Sequence, residues 1–337
     1  MTSDSRVRPV TLREVAQLAG VSVATASKAL NGKADVHPET RRRVQEVAER
    51  LSFTPNSLAR AITAGQTGTV GLLTHDLEGR FSLPILMGAE DAFGAGRTSV
   101  FLCDAREDAI REQHHLRALL GRRVDGIIVV GSKTDPRASL GPDVPVPVVY
   151  AYAPSQDPRD ASVVPDNVTA GRLATEHLLT LGRTRIAHVS GDPTYVAAQD
   201  RATGITQALA DAGLEQVGPT RFGSWSEAWG RAGAAAALDA DPRVDAVVAG
   251  SDMIARGVLD TLRERGVDVP GDVAVIGFDN WEPMVAGARP ALTSVDMRFE
   301  TMGRRAATRL SNLVAGGTEE GVETVEPRVV VRGSTSA

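Results

Sequence analysis

The chain has 337 residues, 42% hydrophobic and 23% charged, enough for more than one core, and only 4% are aromatic, so those cores must be Ala, Val, Leu and Ile. Cys103 is the single cysteine, which excludes a disulfide framework or a Cys-rich metal site within one chain. The net charge of −5 is unevenly spread: residues 1–64 hold ten Lys/Arg against six Asp/Glu, a net of +4, leaving −9 for the remainder. A small basic unit on a larger acidic body suits a nucleic-acid reader with a second task. No apolar run approaches the ~20 residues that span a bilayer, and residues 1–10 lack the apolar stretch of a signal peptide, so the expected location is the cytoplasm.

In chain order, Thr11-Leu12-Arg13-Glu14 forms a capping box. Leu12, Val15, Ala16 and Ala19 follow at helical spacing, and Gly20 stands where a helix C-terminus favours φ > 0. Ser22 caps a second helix through Leu30, stopped by Asn31-Gly32. A third helix starts after Val36, with Pro38 in its first turn, and sets Val44, Val47, Ala48 and Leu51 on one face. Two readings stand here, a plain three-helix bundle and a helix-turn-helix. The second helix favours the latter, because Val23, Ala24, Thr25, Ser27 and Lys28 make it too polar to be wholly core. Ser22, Thr25 and Ser27 suit phosphates, and Val23, Ala24 and Lys28 suit base edges in the major groove. Arg41-Arg42-Arg43 reads either as a solvated face or as phosphate steering.

From Gly65 the pattern changes. Residues 64–68 read as a linker; 69–74, 99–103, 126–130, 146–151, 186–190, 246–249 and 273–278 read as buried strands. Helical stretches at 85–95, 106–120, 168–181, 204–212 and 229–238 lie between them. Apolar strands alternating with helices predict parallel sheets covered on both faces, and the length suits two doubly wound halves with ligand groups at the carboxyl ends of their strands.

The stretch from Val10 through Thr11-Leu12-Arg13-Glu14-Val15-Ala16, Gly20-Val21-Ser22 and Ala24-Thr25-Ala26-Ser27-Lys28 to Asn31 resembles the headpiece of the LacI/GalR family of bacterial repressors. Thr40 to Val44 and Leu51 to Asn56 continue the likeness, and Pro165-Asp166-Asn167, residues 174–182, Gly277-Phe278-Asp279 and Thr293-Ser294-Val295-Asp296 extend it through the body. The resemblance implies an α + α/β protein, a three-helix helix-turn-helix headpiece followed by a periplasmic-binding-protein-like pair of doubly wound parallel-sheet subdomains. The implied divisions are a headpiece at 1–54, a hinge helix and linker at 55–68, a first subdomain of 69–164 plus 295–321, and a second of 165–294 plus 322–337. The chain would cross between subdomains near Val164, Ser294 and Gly321.

It also implies a DNA-contacting set of Thr11, Leu12, Ser22, Val23, Ala24, Thr25, Ser27, Lys28 and Asn31 from the headpiece, with Asn56, Ala59 and Ile62 from a hinge helix. That helix, residues 56–63, is too short to be stable alone; it folds on operator DNA beside its dimer mate. Ile62 stands where relatives carry a Leu that wedges between base pairs. Lys28 replaces the commoner Arg, losing the bidentate fork to guanine, and Asp35 stands where many relatives carry a basic residue. The implied effector set is His75, Asp76, Phe81, Asp166, Arg201, Trp225, Ser251 and Asp279. Arg201 and Asp279 match the family's hydroxyl-gripping Arg and sugar-binding acid, Trp225 its aromatic platform, and Ser251 a position often held by Asn.

From the residues alone, Arg201 with Asp279 reads equally as a ligand grip or as a salt bridge between subdomains. Trp225 reads as packing, His75 as solvated, and His114-His115 as surface.

The fold leaves an enzyme or a transport-type sugar receptor open. No G-x-G-x-x-G follows a strand, no G-x-x-x-x-G-K-[ST] or G-x-S-x-G occurs, and no metal-ligand spacing is present. The headpiece opposes a receptor. The expectation is therefore a cytoplasmic, nucleoid-associated homodimeric repressor without cofactor or membrane partner. It would bind a near-palindromic operator under the control of a small molecule, a sugar or sugar derivative, with a purine-type or other metabolite as the alternative. The sequence contains no C-terminal leucine heptad of the kind that forms tetramers.

Overall fold

The computed structural model describes residues 10–30, 35–51, 53, 66–76, 80–94 and 98–336. The chain divides into two compact units, one through Thr67 and a second from Gly68 to Ala337.

In the first unit, α1 (Leu12–Leu18), α2 (Val23–Leu30) and α3 (Pro38–Arg50) surround Val15, Ala16, Ala26, Ala29, Val44, Val47 and Ala48. The Thr11 amide donates to Glu14 Oε2 at 2.7 Å and the Glu14 amide to Thr11 Oγ1 at 3.4 Å, completing the capping box. Gly20, at φ +64°, turns the chain, and the Val21 amide closes onto the Ala16 carbonyl at 3.0 Å. Ser22 Oγ accepts from the Thr25 amide at 3.0 Å and opens α2.

The second unit carries two six-stranded sheets. In the first lobe β1 (Thr69–Thr74), β2 (Ser99–Asp104), β3 (Gly126–Val130), β4 (Val148–Ala151) and β5 (Ala161–Pro165) are interleaved with α4 (Ser82–Phe93) and α5 (Ala109–Gly121). The second lobe contains α6 (Asn167–Thr180), β6 (Ile186–Ser190), α7 (Val196–Asp211), β7 (Arg221–Phe222) and α8 (Glu227–Ala240). It continues with β8 (Ala246–Ala249), α9 (Asp252–Glu264), β9 (Ala274–Phe278), α10 (Glu282–Val285) and β10 (Thr293–Asp296). Next come α11 (Phe299–Val314), β11 (Val322–Val325) and β12 (Arg328–Val330).

The first sheet runs β11-β5-β4-β3-β1-β2, all pairs parallel; the second runs β12-β10-β9-β8-β6-β7, parallel except for β12. Strands buried on both faces, such as Gly126–Val130 and Ala246–Ala249, read as unbroken apolar runs because helices cover each side. Residues of both sheets join one apolar cluster that includes Tyr152, Phe278, Met297 and Phe299.

The chain changes sheet between β5 and β6, between β10 and α11 (which packs on α4 of the first lobe), and between β11 and β12. The second change falls after Asp296, close to Ser294, and the third after Val325 rather than near Gly321. Gly321, at φ +72°, opens a strand instead: its carbonyl accepts from the Ser162 amide at 2.9 Å, and Val322 to Val325 then pair with β5. The helix expected from Gly204 begins eight residues earlier, at Val196, because Gly204 is an interior contact rather than a start signal.

Candidate functional site

On the first unit, α2 turns Ala26 and Ala29 inward and leaves Val23, Ala24 and Lys28 exposed. Ala24 and Lys28 are four residues apart and so share a face. Ser22 Oγ and Thr25 Oγ1 lie 2.8 Å apart at the exposed helix start. Lys28 Nζ meets Asp35 Oδ2 at 2.6 Å, linking the two departures from the family pattern. The Thr11 hydroxyl bonds Glu14 Oε2 at 2.9 Å, while Leu12 packs partly into the core and Ser27 is half-buried. Asn31, Asn56, Ala59 and Ile62 lie outside the described residues.

In the body, Arg201 on α7 is 3% exposed. Its Nε donates to Asn167 Oδ1 at 3.0 Å, Nη1 to the Gly250 carbonyl at 2.6 Å and Nη2 to Asp279 Oδ1 at 3.3 Å, with the guanidinium 4.6 Å over the Phe278 ring. Asp279 directly follows β9, and it and Asn280 adopt φ of +96° and +51°. That uncommon backbone turns the carboxylate out of strand register toward the cleft between lobes. Arg80, which precedes α4 in the first lobe, reaches the same carboxylate: Nε and Nη2 lie 2.9 and 2.6 Å from Oδ2.

A chamber of about 170 Å³ lies above these groups. Asp76, Phe81, Thr134 and Tyr152 line it from the first lobe, and Tyr195, Arg201, Trp225 and Asp279 from the second. Phe81 stacks on Tyr152 with centroids 4.5 Å apart, and Tyr195 packs against Trp225 at 5.7 Å. Lys133 of the first lobe caps the Tyr195 ring at 4.4 Å. Among the described residues, Thr134 Oγ1 and Trp225 Nε1 are buried without a hydrogen-bond partner.

Burial pushes the Tyr152 phenol up and keeps it a donor. Burial, then the nearby Asp279 charge, push the Asp252 carboxyl up to about 8. Its oxygens accept from the Ser294 hydroxyl at 2.6 Å and the Trp281 amide at 2.7 Å. Aromatic walls with paired donors and acceptors on the floor suit a ring bearing hydroxyls.

Of the expected effector residues, Asp76, Phe81, Arg201, Trp225 and Asp279 converge here; His75, Asp166 and Ser251 do not. His75 Nε2 sits 2.5 Å from Glu112 Oε2 and 2.7 Å from Arg137 Nη1, inside the first lobe. Asp166 caps α6, accepting from the Thr169 amide at 2.9 Å, and Ser251 caps α9, accepting from the Ile254 amide at 3.3 Å. Each is committed to helix termination by local geometry. Arg80, Thr134, Tyr152 and Tyr195 escaped sequence reasoning; the Arg80 partner is 199 residues away, and no local spacing announces it.

Residues 11–56 match the family described as bacterial regulatory proteins, lacI family, and residues 175–335 match a periplasmic binding protein-like domain. The HTH-type transcriptional regulator CelR of Thermobifida fusca is 34% identical over 340 residues, covering 98% of this chain and 99% of that protein. A solved transcriptional regulator CelR-cellobiose complex has 32% identity and a TM-score of 0.65, covering 97% of this chain and 100% of that one. The lac repressor dimer bound to operator and the anti-inducer ONPF gives a TM-score of 0.76 at 26% identity, covering 98% and 100%. Among the described residues, no helix is long and apolar enough to cross a membrane.

Proposed function

The chain belongs to the LacI family of bacterial regulatory proteins, and on that premise we propose that it is a cytoplasmic, nucleoid-bound homodimeric repressor controlled by a sugar-type effector. It is a sequence-specific DNA-binding transcription regulator, not an enzyme. Two α2 helices enter successive major-groove half-sites of a near-palindrome. Val23, Ala24 and Lys28 meet base edges, while Ser22, Thr25 and Ser27 meet phosphates and fix the register. Asn56, Ala59 and Ile62 contact the minor groove between the half-sites.

The observation that carries the effector reading is the convergence of Arg201, Asp279 and Trp225 from three separate elements on one aromatic-walled chamber between two lobes. The likeness to a regulator solved with cellobiose supports a carbohydrate as the ligand class. A ligand that binds one arrangement of the lobes better shifts the population toward it. A coupling of about 1–3 kcal/mol then alters operator affinity roughly 5–150-fold.

Thermal-shift screening against mono- and disaccharides, sugar phosphates and purines tests the ligand class, with stabilisation by sugars expected. Selection from randomised duplexes tests the DNA reading, with enrichment of a palindrome expected. Stabilisation by purines alone, or enrichment of no sequence, contradicts it.

A further inference from the structure

We infer that Arg80 determines what the cleft admits: it occupies Asp279 as an internal stand-in for the ligand, and only a molecule able to replace its guanidinium there can enter. The inference rests on the effector reading of the cleft. The Asp279 side chain is 1% exposed, and both of its oxygens are taken, Oδ2 by Arg80 Nε and Nη2, Oδ1 by Arg201. Arg201 belongs to the same lobe as Asp279; Arg80 comes from the opposite lobe. The Arg80 bonds therefore close the cleft with the contacts a bound polyol would supply.

The pair is also a wall between two spaces. Arg80 and Asp279 border both the inner chamber of about 170 Å³ and an outer groove of about 580 Å³ that contains Glu282, Arg298, Glu300 and Arg304. The chamber alone is smaller than the roughly 300–1,000 Å³ of ordinary ligand sites. Withdrawing Arg80 joins it to the groove.

Arg80 has other interactions to retain as it withdraws. It already lies 5.9 Å over the Trp281 ring, its Nη1 meets the weak acceptor Met253 Sδ at 3.6 Å, and Glu282 and Glu300 line the groove beside it. Thr134 and Trp225 line the chamber from opposite lobes, and their buried Oγ1 and Nε1 have no hydrogen-bond partner among the described residues.

The ligand that fits is neutral and longer than one ring. Adjacent hydroxyls replace the two N–H donors on Oδ2, one ring fills the chamber, and a second unit extends into the groove. An anionic ligand would instead keep Arg80 in place as a grip, and its affinity would fall when Arg80 is removed.

Full-length protein with Arg80→Met and Arg80→Lys tests this in two steps. Hydrogen exchange without ligand reads the seal: segments 74–76 and 278–280 should exchange faster in Arg80→Met. Arg80→Lys should fall between, because an ammonium keeps the charge but loses the fork. Calorimetry with glucose, cellobiose and glucuronate reads the competition. A seal formed about nine-tenths of the time weakens apparent affinity about tenfold, so Arg80→Met should bind cellobiose about tenfold tighter, with a smaller gain for glucose and a loss for glucuronate. Unchanged exchange, or weaker cellobiose binding in Arg80→Met, overturns the inference. If exchange rises but no sugar binds any variant, the seal stands and the sugar reading of the cleft falls.

Discussion

Arg201 bonds to α6, to the loop after β8 and to the residue after β9, so one side chain ties together three elements of the second lobe. The choice between ligand grip and structural ion pair is thus not exclusive. Replacing Arg201 with Met leaves a buried carboxylate, an amide and a carbonyl short of a donor. We expect a loss of about 3–5 kcal/mol in urea unfolding and abolition of any sugar response, with operator binding retained below the transition. His188 is a second buried group with a measurable consequence. Burial, and then the Arg201 charge, depress its pKa from 6.5 to about 3. The folded chain therefore refuses a proton that the unfolded chain accepts, and stability falls as pH drops from about 6.5 toward about 3. In His188→Asn, unfolding free energies measured across that window should show a shallower slope. On α2, Lys28→Ala should cost about 1–3 kcal/mol and relax preference at one operator position; equal loss on every sequence would mark a phosphate contact instead. The residues legible from a local signature were Thr11 and Glu14, three apart, and Ser22 at a helix start, whereas Asp279 was singled out by resemblance. Arg80 was invisible because its role exists only once two distant lobes meet. Asp166 and Ser251, placed in the ligand set by resemblance, are held by helix amides of their own loops.

At the scale of elements, three helix pairs pack through reciprocal glycines. A Cβ on Gly171 of α6 would lie 2.2 Å from the Arg201 carbonyl, and one on Gly204 of α7 would lie 2.0 Å from the Val168 carbonyl. Gly88 with Gly303 joins α4 to α11 in the same way, and Gly230 with Gly257 joins α8 to α9. The opposing atoms are backbone, so they cannot swing aside. Gly171→Ala should cost about 1–3 kcal/mol by overpacking, and because the contact is to Arg201 itself, it should also weaken sugar response; unchanged thermal stability would refute the contact. These glycines explain a misreading. In sequence Gly204 resembles punctuation, whereas in the structure it is where two helix backbones touch. The headpiece helices were legible to within a residue or two because the Thr11 and Ser22 caps and Pro38 in the first turn of α3 agree with the apolar spacing. The strands legible in sequence, the four-residue β8 among them, are continuous apolar runs because both their faces are covered. Strands β5, β7 and β10 to β12 were not, since polar residues such as Ser162, Thr293 and Glu323 interrupt the run or only two or three residues pair.

For the whole molecule, charge separates the tasks: +4 on the first 64 residues against −9 on the rest. The positive unit suits a polyanion, and the negative body resists nonspecific adsorption to it. The two-lobe plan was visible in the alternation of apolar runs and helical stretches. Its crossings were less so, because the final one depends on β11 pairing back to β5, a pairing made over more than 150 residues of chain. If the proposed function holds, occupancy of the cleft sets affinity for DNA. The most direct measurement is fluorescence anisotropy on the palindrome recovered by selection, with and without a saturating sugar that binds the body, for the native chain and for Arg201→Met. Kd should shift roughly 5–150-fold for the native chain and not at all for the variant. An identical shift in both, or no preference of either for the palindrome over random duplex, would contradict it.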